Sequence, residues 1–150
     1  ANPWWTQWLA GTVGGVVGSL AASVLISGLA YPIYSSQEGV YHPGINSDYL
    51  GFVIGYPLGS ALGSGFGVNR SAEILDQKGN VFGTFLTTSL TAGATFYGSL
   101  VLGTLLNHAA ENSSVKGFVN LSTASITLAT PLISSMAGAW NYKSSKYMNK

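Results

Sequence analysis

The side chains able to do acid–base or ligand chemistry are few and stand apart. They are Glu38, Asp48, Arg70, Glu73, Asp76, Lys78, Glu111, Lys116, Lys143, Lys146 and Lys150, together with His42 and His108. No paired carboxylates sit on a helix face, and no nucleophile–base constellation stands out. An enzyme is therefore the least favoured reading. Arg70, Glu73, Asp76 and Lys78 crowd into one short segment. They read as solvated loop charge with local ion pairs, each worth about 1 kcal/mol or less. His42 and His108 fall on the same side of a four-span arrangement and could hold a haem axially. Lone loop histidines are more often polar surface, so no cofactor and no metal is assigned. The chain has no cysteine, which excludes disulfides and thiolate sites. A net charge of +1 is too weak to point to nucleic acid. The triplets beginning at Asn69, Asn112 and Asn120 match the N-glycosylation pattern, which is short and common by chance.

What must position these residues is visible in where charge is missing. Only 7% of the 150 residues are charged, against about 25% in soluble domains. Four stretches carry no charge at all: 1–37, 49–69, 79–110 and 117–142. Each exceeds the roughly 20 residues that a membrane-crossing helix needs. The expected fold is all-α: one integral membrane domain over 1–150, with four transmembrane helices at about 9–31, 49–68, 80–107 and 118–140. Pro32 marks the exit of the first, Pro57 kinks the second, and Pro131 lies near the centre of the fourth.

Small residues recur every fourth position in three of these spans. The clearest run is Gly51, Gly55, Gly59, Gly63 and Gly67. The first span carries Gly11, Gly15, Ser19, Ser23 and Ser27, with Gly14, Gly18 and Ala22 beside them. The third continues with Gly79, Gly83, Thr87, Thr91, Thr95, Ser99 and Gly103. Residues four apart lie almost above one another on a helix, so each run is a groove that lets another backbone come close. Helices in lipid associate through such contact and through hydroxyl hydrogen bonds. Gly11, Gly15, Gly51, Gly55, Gly59, Gly63, Gly67, Gly79, Gly83 and Gly103 are the expected packing positions. Trp4, Trp5 and Trp8 at one end, and Trp140 and Tyr142 at the other, suit a membrane–water boundary.

A small β-barrel is the alternative. In 50–66 the even positions are mostly large and the odd ones small, and a period of four is a multiple of two. The first span argues against it, because its glycines fall at both parities while its large residues keep helical offsets.

The string Gly55-Tyr56-Pro57-Leu58-Gly59-Ser60-Ala61-Leu62-Gly63, the charged loop, and Gly79-Asn80-Val81-Phe82-Gly83 resemble glycine-zipper envelope proteins of bacteria. The ending Gly138-Ala139-Trp140-Asn141-Tyr142 is similar too. That group implies a cell-envelope location and no assigned activity. The layout is also similar to a mitochondrial inner-membrane translocase family. This chain departs from that family's arginine–aspartate signature, since Arg70 is followed by Glu73 and Asp76 at other spacings.

The functional expectation is a structural or accessory subunit of a larger membrane complex, with a channel or protein-translocation component as the alternative. Its partners would be membrane lipid and other subunits or copies of itself. Ala-Asn-Pro at the start would suit a cleaved signal peptide and an outer-membrane location. Five of the six basic residues on one side instead suit an inner membrane with both termini cytoplasmic.

Overall fold

The structure is a computed structural model that describes residues 3–35, 47–75 and 79–148. Glu38, His42, Asp76, Lys78 and Lys150 lie outside them. The described residues are helical throughout apart from short connections, and contain no strand. The β-barrel alternative is thereby excluded. The alternation in 50–66 was the shadow of a four-residue helical repeat.

Helix α1 runs from Pro3–Ser35. It continues beyond Pro32, where an exit was expected, so that this proline lies inside the helix. The next rod is continuous but not uniform. A short α2 (Ser47–Leu50) leads into a π-helical turn (Gly51–Gly55) and then α3 (Tyr56–Ile74). Pro57 sits in the first turn of α3 and has no N–H for the Val53 carbonyl. The hydroxyl of Tyr97 donates to that carbonyl instead, at 2.8 Å.

Helix α4 (Val81–Ala109) starts at Asn80, whose side chain accepts the Gly83 N–H at 2.8 Å. This is the usual way to satisfy a helix's first free donors. Asn112 serves the same purpose for α5 (Ser113–Leu128), accepting the Ser114 N–H at 2.8 Å. The expected fourth span is two helices, because the chain breaks at Ala129 before α6 (Thr130–Met148). Pro131 is the cause: it cannot serve the Thr127 carbonyl. The Thr130 hydroxyl does so at 2.7 Å, and the Tyr56 hydroxyl takes the neighbouring Leu128 carbonyl at 2.6 Å.

Helices α1, α3, α4 and α6 pack together, whereas α5 rests on α4 and barely touches α6. Helices α3 and α4 run antiparallel, with Gly65 and Ala61 of α3 meeting Phe85 and Thr88 of α4, whereas α3 and α6 run parallel, with Ser64 against Ser134 and Val68 against Gly138. One end of the bundle is closed by Val68, Ala72, Ala139 and Tyr142, with Trp4 and Trp8 against them.

Two helices among the described residues are long and apolar enough to cross a membrane, Trp4–Pro32 and Val81–Ala109. The glycines of α3 and the break at Pro131 dilute or divide the other two.

Candidate functional site: a glycine- and hydroxyl-lined helix interface

The contact between α1 and α3 matches one ladder to the other, rung for rung. A Cβ added at Gly67 would lie 2.9 Å from the Gly11 Cα, and one at Gly63 would lie 3.1 Å from the Gly15 Cα. Gly59 stands in the same way against the Ser19 Cα at 2.7 Å and Gly55 against the Ser23 Cα at 2.6 Å. Gly51 completes the row against the Ser27 Cβ at 2.8 Å. The second row of α1 interleaves, with Gly14 against the Gly63 carbonyl and Gly18 against that of Gly59. Any side chain in this contact would collide with backbone, which has nowhere to move.

Hydroxyls close what the glycines leave. Ser19 donates to the Gly15 carbonyl at 2.7 Å, so the hydrogen in its 2.5 Å contact with Ser60 comes from Ser60. Ser64 and Ser134 meet at 2.9 Å where α3 passes α6, and Thr12 and Ser135 at 2.8 Å where α1 does. Thr88 donates to the Ala61 carbonyl at 2.9 Å. Ser19, Ser60, Ser64, Thr84, Thr88, Thr130, Ser134 and Ser135 are all fully buried. Each of these hydroxyls offers one donor, and the arrangement gives it a carbonyl or a second hydroxyl within reach; the Ser23 hydroxyl, on the rung against Gly55, is covered without such a partner among the described residues.

The third ladder behaves differently from the other two. The buried row of α4 is Thr84, Thr88, Ala92 and Phe96, one residue along from the Gly83, Thr87, Thr91 and Thr95 row. Thr88 and Thr84 lie against Gly138 of α6, where an added Cβ would be 2.6 Å from the Thr88 methyl. This row too is mostly small at four-residue spacing, which is the signal that could have found it. Gly83 belongs to the start of its own helix and faces Asn80. Gly79 makes room for the ring of Tyr142, and Gly103 for Thr123 of α5. Beside Gly103, Ser99 and Thr127 join at 2.7 Å.

No family model matches the chain, and neither a curated protein nor a solved structure is significantly similar to it. The interface itself therefore carries the functional reading.

The aromatic residues divide in two. Trp5 and Trp140 point outward, with 52% and 64% of their surface exposed. Trp4 and Trp8 stack at 5.8 Å between ring centroids, and the Trp8 indole donates to the Leu132 carbonyl at 3.2 Å. Tyr142, expected at a boundary, is buried at 3% exposure because Gly79 admits its ring. Burial pushes its phenol pKa up, and the Glu73 carboxylate adds to the rise. A second aromatic group, Phe52, Tyr56, Phe96 and Tyr97, surrounds the π-helical turn. Among the described residues no three acidic or histidine side chains are placed to hold a metal. His108 is exposed at the end of α4.

Proposed function

We propose that the chain is a small integral membrane protein that crosses the bilayer four times and serves as a non-enzymatic structural or accessory subunit. One observation carries this reading: the polarity of the bundle is inverted. Serine, threonine and glycine fill the inside, while Val24, Leu29, Phe82, Phe118 and Leu121 are all about 70% exposed. Burying one such side chain is worth roughly 1.5–3 kcal/mol in water. A water-soluble fold would not leave so many outside and use hydroxyls for its core. In lipid the apolar exterior carries no penalty, and small residues and hydroxyls are what hold helices together.

The matched ladders are occupied within the chain, so partners would meet the glycines that remain open. Among the described residues, nothing lies within 4 Å of a Cβ position at Gly28 of α1, Gly93 and Gly98 of α4, or Gly117 of α5. Gly93 lies among Leu86, Leu90 and Tyr97, all exposed. Of the two envelope locations the sequence suggests, an outer bacterial membrane fits best with the glycine-rich composition and the overall mean hydropathy of only +0.31.

The absence of cysteine makes the test direct. Single cysteines introduced at Leu75, Ala110 and Trp140 should label with a membrane-impermeant reagent from one side, the opposite side, and the first side again. Labelling of all three from one side would overturn the four-span reading. Purification in mild detergent should recover a partner or a second copy, and Gly93→Leu should release it with the bundle intact. Recovery of a lone monomer from wild-type membranes would overturn the subunit role.

A further inference from the structure

Where α3 ends, α4 begins and α6 passes, a cleft of about 580 Å³ opens at the side of the bundle. From this cleft we infer a binding site for a phospholipid whose headgroup carries a primary ammonium beside its phosphate, an aminophospholipid. The inference rests on the membrane reading above.

The cleft has two unlike walls. Phe66, Val81 and Phe85 line it with apolar surface. Phe85 is held flat against α3 because Gly65 has no side chain, and a Cβ there would meet its ring Cε1 at 2.7 Å. Asn69, Arg70, Glu73 and Tyr142 form the polar wall. The charges lie where two charge-free stretches, 49–69 and 79–110, come to an end. In a bilayer that level is the headgroup layer, and the apolar wall lies on the acyl side.

The charges select the headgroup. Arg70 Nη1 donates to Glu73 Oε2 at 2.7 Å, with 59% and 70% of the two side chains exposed. That bond uses one guanidinium N–H and one carboxylate oxygen. Four N–H groups of Arg70 and the second oxygen of Glu73 remain for a ligand. The guanidinium fork suits a phosphate. Glu73, three residues on, repels a purely anionic headgroup and accepts hydrogen bonds from an ammonium. A trimethylammonium has no N–H to donate, so it fills the position less well. Asn69 supplies an independent sign. Both polar atoms of its carboxamide are covered and have no hydrogen-bond partner, in the wall of this same cleft. A buried amide left this way is costly. A rotation about its side-chain bonds would bring it to the headgroup.

Native mass spectrometry of the detergent-purified protein, incubated in turn with phosphatidylethanolamine, phosphatidylcholine and phosphatidylglycerol, tests the site. Phosphatidylethanolamine should be retained several-fold over the other two. Arg70→Gln should cut that retention several-fold, and Asn69→Leu should weaken it. Glu73→Lys should turn the preference toward phosphatidylglycerol, a reversal that general loss of structure would not produce. Inorganic phosphate and glycerophosphoethanolamine at millimolar concentration should fail to displace the lipid. Equal retention of the three lipids, or a preference unmoved in Arg70→Gln and Glu73→Lys, would overturn the proposal. Displacement by inorganic phosphate would also overturn it, in favour of a simple anion site. Carbonate extraction of the source membranes separates the two readings. Protein in the supernatant removes the membrane reading and the lipid site together; protein in the pellet without lipid preference removes the site alone.

Discussion

Gly59 of α3 and Ser19 of α1 face each other so closely that a Cβ on the glycine would lie 2.7 Å from the serine Cα. The same added atom would press on the Gly18 carbonyl. Neither neighbour is a flexible side-chain tip, so the helices themselves would have to separate. Gly59→Ala should destabilise the bundle by about 1–3 kcal/mol, as overpacking does, and Gly59→Leu by more. Gly28→Ala, facing open space, should be neutral or stabilising by up to about 1 kcal/mol through helix propensity. Unfolding of the detergent-solubilised variants by a denaturing surfactant measures both, and equal effects at the two sites would contradict the packing described.

The hydroxyl of Tyr97 stands in for the N–H that Pro57 lacks. Tyr97→Phe should cost roughly 1–3 kcal/mol, the penalty of leaving the Val53 carbonyl unpaired. In a Pro57→Ala background an N–H is available to that carbonyl, so the same change should cost less. A double-mutant cycle isolates the difference. Identical penalties in both backgrounds would show that Tyr97 acts only by packing.

Tyr56 supports the second proline break from a distance, through its bond to the Leu128 carbonyl. Tyr56→Phe should loosen α5, which otherwise rests mainly on α4. Amide exchange should rise in residues 113–128 and stay unchanged in the contact of α1 with α3. Uniform exchange throughout the bundle would refute this.

Stability should fall at alkaline pH because of Tyr142. Its phenol pKa is raised in the folded chain above the ordinary value of 10.0. The folded state therefore keeps its proton more firmly than the unfolded state. The stabilisation is complete below about pH 10 and is lost as pH rises through the raised value. Tyr142→Phe should flatten the decline, and Glu73→Gln should reduce it by removing one cause. Denaturation series on either side of pH 10, with phenolate absorbance as a second readout, check the direction.

The helical fold and the ladders were legible because both depend on spacing within one segment. A residue type repeated at four positions says which way a groove runs, whatever the rest of the chain does. Which groove meets which is a property of two segments, and no local pattern holds it. The span 79–103 shows the difficulty: Gly83, Thr87, Thr91 and Thr95 and their neighbours Thr84, Thr88 and Ala92 are equally small. The positions of Gly138 in α6 and Ala61 in α3 decide that the second row is inside. Tyr142 was read from its type as a boundary residue, but the space that buries it belongs to Gly79, far off in sequence. Pro131 was visible as a disturbance. Whether it would bend a helix or end it depended on Thr130, which takes the Thr127 carbonyl it strands, and on Tyr56, which takes the neighbouring Leu128 carbonyl.

The five rungs between α1 and α3 are nearly interchangeable, since each sets a glycine against a glycine or a serine. A slip of one helical turn, about 5.4 Å, would keep most rungs filled and would bring Ser64 to the place of Ser60 beside Ser19. Within the contact itself such a slip would break the bond at its margin, where the Ser27 hydroxyl donates to Asp48 at 2.8 Å. The contact is thus a rail, smooth along its length, and what stops it sliding lies to the side: α6 holds α1 through Thr12 and Trp8 and holds α3 through Ser64.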